Sequence, residues 1–145
     1  MKKITKRYNF SRTKDINNLP KYVNDYVFDD EKAIIAYTTL RDHGVFTDKK
    51  IILFDNRMSI REKRELVIIP YQSISSLSVS YKVNSAKLMI YLNSGNFINL
   101  RFIRMIPTDK MRLRYLSTVI LQIINNQKVN QDSVKKLITN DFKIE

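Results

Sequence analysis

The chain has no cysteine, no tryptophan, one histidine, two glycines and three prolines among its 145 residues. Without cysteine it can form neither a disulfide nor a thiolate-ligated metal site, and a reducing, cytoplasmic setting is expected. The single histidine, His43, lies in the segment Arg41-Asp42-His43-Gly44. General acid–base chemistry needs a partner held in position, and adjacency to Asp42 does not supply one. The sequence has no phosphate-binding glycine loop, no dinucleotide fingerprint, no paired metal-ligand spacing and no nucleophilic triad. We therefore expect no enzymatic activity, no cofactor and no metal. Uninterrupted apolar runs such as Leu66–Ile69 and Val119–Leu121 are short. They fall well below the roughly 20 residues that span a bilayer. Lys2 and Lys3 are followed by no apolar stretch of the kind a signal peptide carries, so none is expected.

What is present in excess is positive charge. Lysine and arginine number 26 against 14 acidic residues, a formal net charge of +12. Such a balance favours nucleic acid, an anionic membrane surface or an acidic protein as partner, and says little about fold. Apolar residues make up 43% of the chain, enough for one domain with a real core.

Residues 1–18 hold six basic residues before Asp15 and no clear periodicity, and are expected to form a flexible basic arm. Leu19, Tyr22, Val23, Tyr26 and Val27 then recur at helical spacing, predicting a short helix from Leu19 to Phe28. Strand-like sequence follows over Lys32–Leu40, Val45–Thr47, Lys50–Asp55 and Glu65–Tyr71. Arg41–Gly44 is expected as a turn in which Gly44 takes positive φ. Residues 56–64 form a polar, basic loop. Ser75–Tyr81 alternates, with Leu77, Val79 and Tyr81 on one face and Ser76, Ser78 and Ser80 on the other. A strand of that pattern has one face to the core and one to solvent.

Leu88–Leu92 and Phe97–Phe102 flank a turn. A two-residue turn at Ser94-Gly95 would set Ile90 against Asn99 and mix the faces. A three-residue loop over Ser94–Asn96 sets Leu92 against Ile98, Ile90 against Leu100 and Leu88 against Phe102, with Tyr91 against Asn99 and Met89 against Arg101 behind. Burial selects the second register, with Asn96 in the left-handed position. Pro107-Thr108-Asp109 announces a helix capped by Thr108 or Asp109. Its apolar stripe is Met111, Tyr115, Leu116, Val119, Ile120, Ile123 and Ile124, with Arg112, Ser117, Gln122 and Asn125 turned away. The domain is placed at residues 19–126. A polar tail over 127–145 is expected to hold a second short helix from Asp132 to Ile138.

Two short signatures give this order a likeness. They are Phe46-Thr47-Asp48-Lys49-Lys50-Ile51-Ile52 and Ile69-Pro70-Tyr71 with Ser73-Ile74, followed by the strand Leu88–Leu92. Together they make residues 30–124 resemble the small bacterial pleckstrin-homology-like (PH-like) domains. The resemblance implies a mainly β fold with α: a PH-like barrel of about seven antiparallel strands, capped by a C-terminal amphipathic helix. It implies that the signature residues are mostly structural, with Thr47 bonding the turn backbone and Pro70 marking an irregularity. It also implies a binding platform rather than a catalyst. Between Ser80 and Lys87 the chain lacks the glycine-acid element of its comparators and carries Lys82 and Lys87 instead.

Two basic groups are candidate contacts for an anion or partner. The first is Lys49, Lys50, Arg57, Arg61, Lys63 and Arg64 around the loop after the Phe-Thr signature. The second is Arg101, Arg104, Lys110, Arg112 and Arg114 at the sheet-to-helix junction, interleaved with Phe102 and Tyr115, a mixture that suits phosphates and stacking. The leading expectation is a non-enzymatic adaptor for a protein partner, itself included, using exposed strand edges and the polar sheet face. The alternatives are a basic nucleic-acid-binding regulator, a size and charge that would suit a phage-borne protein, and docking on anionic lipid through the 49–64 loops.

Overall fold

The fold is taken from a computed structural model of the chain, which describes residues 5–55 and 65–125 together with Val134, Lys135 and Leu137. Among these residues, nine strands form two sheets. Strands β1 (Thr5–Phe10), β7 (Ile74–Tyr81), β8 (Ala86–Leu92) and β9 (Phe97–Phe102) make a four-stranded sheet in the order β1-β9-β8-β7. Strands β2 (Arg12–Lys14), β3 (Ala33–Thr38), β4 (Asp42–Thr47), β5 (Lys50–Asp55) and β6 (Leu66–Pro70) follow one another in a five-stranded sheet. A one-turn helix, α1 (Lys21–Asn24), precedes β3, and α2 (Pro107–Ile124) follows β9. The expected barrel of about seven strands is thus two sheets of nine strands, not one closed barrel. The all-antiparallel expectation fails at one place, because β1 runs parallel to β9.

The two sheets have different hydrophobic patterns because they are buried differently. Ile51, Ile52, Leu53 and Phe54 on β5 are all at most 1% exposed, so this run cannot alternate. Ile51 and Leu53 point into the main core between the sheets and α2. Ile52 and Phe54 point the other way, into a second core with Leu19, Val23, Ala36 and Val45, which the segment around α1 covers. A sheet with both faces covered reads as a continuous apolar run. Among the described residues, the four-stranded sheet is covered on one face only. Leu88, Ile90, Ile98, Leu100 and Phe102 enter the main core, while Lys87, Tyr91 and Arg101 on the opposite face stay exposed.

Residues 5–14 are not a flexible arm. Tyr8 and Phe10 are 6% and 1% exposed and belong to the main core. The Phe10 ring meets Tyr37 at 5.9 Å and Phe102 at 5.5 Å between centroids. Charge concealed the strand: two apolar residues, one apart, sit among Lys6, Arg7 and Arg12, and their ladder partner is β9, some ninety positions later in the sequence. The expected helix over 19–28 shrinks to the single turn α1, preceded by a 3-10 turn at Ile16–Asn18.

Gly44 is likewise not in a turn. The turn is Thr39–Arg41, where the Thr39 hydroxyl accepts from the N–H groups of Arg41 and Asp42. Gly44 lies within β4 beneath Phe10, and a Cβ there would stand 2.7 Å from the Phe10 ring. Gly44→Ala is expected to destabilise the fold by about 1–3 kcal/mol through overpacking, measured by urea unfolding.

The β8–β9 loop has three residues, one position earlier than expected. Ile90 opposes Ile98, Leu88 opposes Leu100 and Ala86 opposes Phe102. The loop is Asn93-Ser94-Gly95, closed by the Leu92 N–H donating to the Asn96 carbonyl at 2.9 Å. Gly95, not Asn96, is left-handed, at φ 91°. The displacement is two residues in register, so every side chain keeps its expected face. Glycine pays no steric penalty for positive φ, and this decided the turn.

Helix α2 begins earlier than expected as well. Pro107 takes the first position, and the Asp109 carboxylate accepts from the Ile106 N–H at 3.0 Å. The buried face is also rotated from the expected stripe. Arg112 and Ser117 are buried beside Leu113, Leu116, Val119 and Ile120, whereas Met111 and Tyr115 are half-buried. Ser117 satisfies its hydroxyl on the Leu113 carbonyl at 2.9 Å, and Arg112 reaches Asp109 at 3.0 Å. Local partners let both polar side chains enter the core face. Of the second helix expected over Asp132–Ile138, Val134, Lys135 and Leu137 are helical and the rest lies outside the described residues.

Candidate binding surface

The Phe-Thr and Ile-Pro-Tyr signatures meet in space. Thr47 ends β4, and its hydroxyl accepts from the N–H of Lys49 at 3.0 Å and of Lys50 at 2.9 Å, which ties the β4–β5 turn. Tyr71 opens a 3-10 turn, Tyr71–Ser73, where the chain passes from one sheet to the other. Fully buried, it donates its hydroxyl to the Thr47 carbonyl at 2.6 Å. Burial, with the charges of Asp48 and Glu31 nearby, holds the Tyr71 phenol well above its ordinary value, so it stays a donor.

Glu31 completes this centre. Its carboxylate accepts from Lys50 Nζ at 2.8 Å, from the Phe28 N–H at 3.0 Å and from the Thr47 hydroxyl. Lys50 Nζ also lies 4.0 Å from the Phe28 ring centroid. Lys50 and Glu31 are 7% and 6% exposed. Lys50 is therefore a buried structural cation, not a surface contact. Lys49 is exposed, with its ammonium 3.6 Å from Asp30. Arg57, Arg61, Lys63 and Arg64 lie outside the described residues.

The second basic group does not form one patch. Arg112 is buried on Asp109. Lys110 closes the β7–β8 turn, donating to the carbonyls of Lys82 at 2.6 Å and Val83 at 2.8 Å. Arg114 is exposed on α2, and Arg104, at φ 55°, turns the chain out of β9. Phe102 is a core residue. Only Arg101 points from the open face of the four-stranded sheet, and the register gives it company there. Asn9, Arg101, Lys87 and Ser80 form one row across the four strands. Arg7, Asn99, Met89 and Ser78 form the next, and Phe97, Tyr91 and Ser76 a third. Arg7, Lys87, Arg101 and Tyr91 are exposed, and Phe97 and Met89 half-buried. The Tyr91 and Phe97 rings lie 6.0 Å apart. Cross-strand periodicity could have found this face in the sequence for β8 and β9, but not for β1.

His43 shows no catalytic arrangement among the described residues. Its Nδ1 lies 2.8 Å from the Thr38 hydroxyl, and its ring stacks on Phe54 with centroids 4.8 Å apart. Burial, with Lys14 and Arg12 nearby, lowers its pKa, so it is neutral at pH 7. A shallow depression of about 230 Å³ opens beside it, lined by Arg12, Lys14, Thr38 and Thr39 among others. Among the described residues, no group of three or more histidine, aspartate or glutamate side chains could hold a metal. No helix among the described residues is long and apolar enough to cross a membrane.

Two sheets, a corner turn and a C-terminal helix define the fold of the pleckstrin-homology-like domains. The bacterial PH domain family matches this chain over residues 5–111, and the chain belongs to that family. A curated relative, the uncharacterised protein YjqA of Bacillus subtilis (strain 168), is 47% identical over 49 residues. That match spans 34% of this chain and 39% of YjqA. Among solved structures, a DUF1696-family protein with a pleckstrin-homology domain from Shewanella loihica PV-4 superposes with a TM-score of 0.60 at 22% identity, covering 81% of this chain and 96% of that one. A PH-domain-containing protein from Exiguobacterium sibiricum 255-15 gives a TM-score of 0.56 at 18% identity, over 78% and 61%. At these identities the likeness is one of fold.

Proposed function

We propose that the domain is a non-enzymatic binding module that takes a protein partner, a second copy of itself included, by strand addition to β7. The observation that carries this is the character of that edge. β7 is eight residues long, lies at the end of the four-stranded sheet and reads Ile-Ser-Ser-Leu-Ser-Val-Ser-Tyr. It has no charge and no proline. Edge strands are ordinarily protected by one or the other, because an open ladder templates pairing with another chain. Buried Lys50 and Arg112 remove two of the cations that a purely electrostatic reading would use, and the burial of Lys50 weakens lipid docking through the 49–64 loops.

Sedimentation equilibrium tests the reading. The wild-type chain is expected to show concentration-dependent mass. Ser78→Lys combined with Ser80→Lys sets like charges across the new ladder and should weaken association roughly tenfold, since opposed like charges each cost up to ~1 kcal/mol. A strict monomer at high concentration, whose capture of partner protein is untouched by the two lysines, removes the proposal.

A further inference from the structure

We infer that the open face of the four-stranded sheet binds single-stranded nucleic acid, with phosphates on Arg7, Lys87 and Arg101 and bases stacked on Tyr91 and Phe97. This goes beyond strand addition, which uses the backbone edge of β7 and not the face.

Three observations converge. First, Lys87 and Arg101 are directly opposed across β8 and β9. Like charges in that position destabilise a sheet. All the ion pairs found among the described residues lie elsewhere, and no face position on β7, β8, β9 or Arg7 and Asn9 of β1 is acidic. A fold that keeps two cations face to face without a carboxylate gains from an external anion. Second, the aromatic pair sits four residues along the same strands, two rows away on the same face. Rings that reach the surface near a cationic track, as exposed Tyr91 and half-buried Phe97 do, are what a single strand uses, because every base has a face to stack. A duplex hides its bases and cannot use them. Third, Asn99 lies between the two, and its buried carboxamide oxygen has no hydrogen-bond partner among the described residues. An unmet acceptor costs stability until a donor reaches it, and the amino and imino groups of bases are donors.

The test is fluorescence anisotropy of a labelled 12-nucleotide oligothymidylate titrated with the full chain. Three phosphate contacts on a single strand predict a log–log salt slope near −2, so affinity should fall about 20-fold between 50 and 200 mM salt. Lys87→Gln should lower affinity and flatten that slope while leaving the melting temperature unchanged or raised, which a structural role would not do. Tyr91→Ala should cost about tenfold, whereas Tyr91→Phe, which keeps the ring, should bind as the wild type. Arg114→Ala, on α2, should have no effect. Binding that Arg114→Ala abolishes, or that Tyr91→Ala leaves intact, overturns the assignment. So does equal affinity for a duplex or a polyglutamate peptide, the latter marking an acidic-protein surface instead.

Discussion

Glu31→Ala is expected to cost about 3–5 kcal/mol, a large share of the stability of any domain this size. The glutamate side chain is fully enclosed, and it is the counter-ion of an almost equally enclosed Lys50. Removing it strands a buried ammonium and also releases Thr47, whose hydroxyl organises the β4–β5 turn. Replacing both partners, as Glu31→Met with Lys50→Met, should cost far less than the single change, because the penalty lies in the unpaired charge and not in the loss of the pair. The same centre sets an acid limit. Burial pushes the Glu31 carboxyl up, but the bonds from Lys50, Thr47 and Phe28 outweigh it and hold the pKa below the ordinary 4.5. A carboxyl depressed in the folded state adds stability that is present above the unfolded pKa and is lost as pH falls through the folded one. Urea midpoints should therefore decline below about pH 4.5 in the wild type, and Glu31→Gln should flatten that decline. A Glu31→Ala chain that unfolds within 1 kcal/mol of the wild type would falsify the assignment of this ion pair as a structural centre.

The parts of the fold that were legible in the sequence are those whose physics is local. Alternation over Ser75–Tyr81 and the pattern of Leu88–Phe102 gave strands, and their faces survive the register error because that error was an even number of residues. The run Ile51–Phe54 was read as a strand, but its two-sided burial depends on a second core that α1 and Leu19 supply from afar. Strand β1 was lost because its pattern is two residues deep and its partner is distant in sequence. The candidate surface was hidden for the same reason. Counting basic residues along the chain grouped Arg101 with Arg112 and Lys110, which the fold buries or engages. It separated Arg101 from Arg7 and Lys87, which the sheet brings alongside. Linear proximity is a poor guide to a surface built across four strands. The signatures, by contrast, were read correctly as scaffold: Thr47 and Tyr71 hold a turn and a corner.

Phe10→Ala carries the other large expected effect, about 3–5 kcal/mol, because it empties the space of a ring that is 1% exposed. The prediction separates the two views of the N-terminal segment. A solvated basic arm would tolerate the change at no cost. A strand whose Tyr8 and Phe10 close the core between β9 and β4 cannot. Removing residues 1–10 should be harsher still. It deletes every pair from Thr5–Phe97 to Phe10–Phe102, exposes the β9 edge and leaves Asp42 without the Asn9 N–H that it accepts at 2.8 Å. We expect that truncated chain to lose its cooperative unfolding transition. A double-mutant cycle fixes the cause. Gly44 is required only because the Phe10 ring lies over it, so Gly44→Ala should be costly in the wild type and close to neutral once Phe10 is alanine. Additive costs would mean that the two residues do not touch, and β1 would then have to be placed elsewhere. If the coupling holds, the Arg7 guanidinium is fixed on the same face as Lys87 and Arg101, since Arg7 and Phe10 belong to one six-residue ladder with β9.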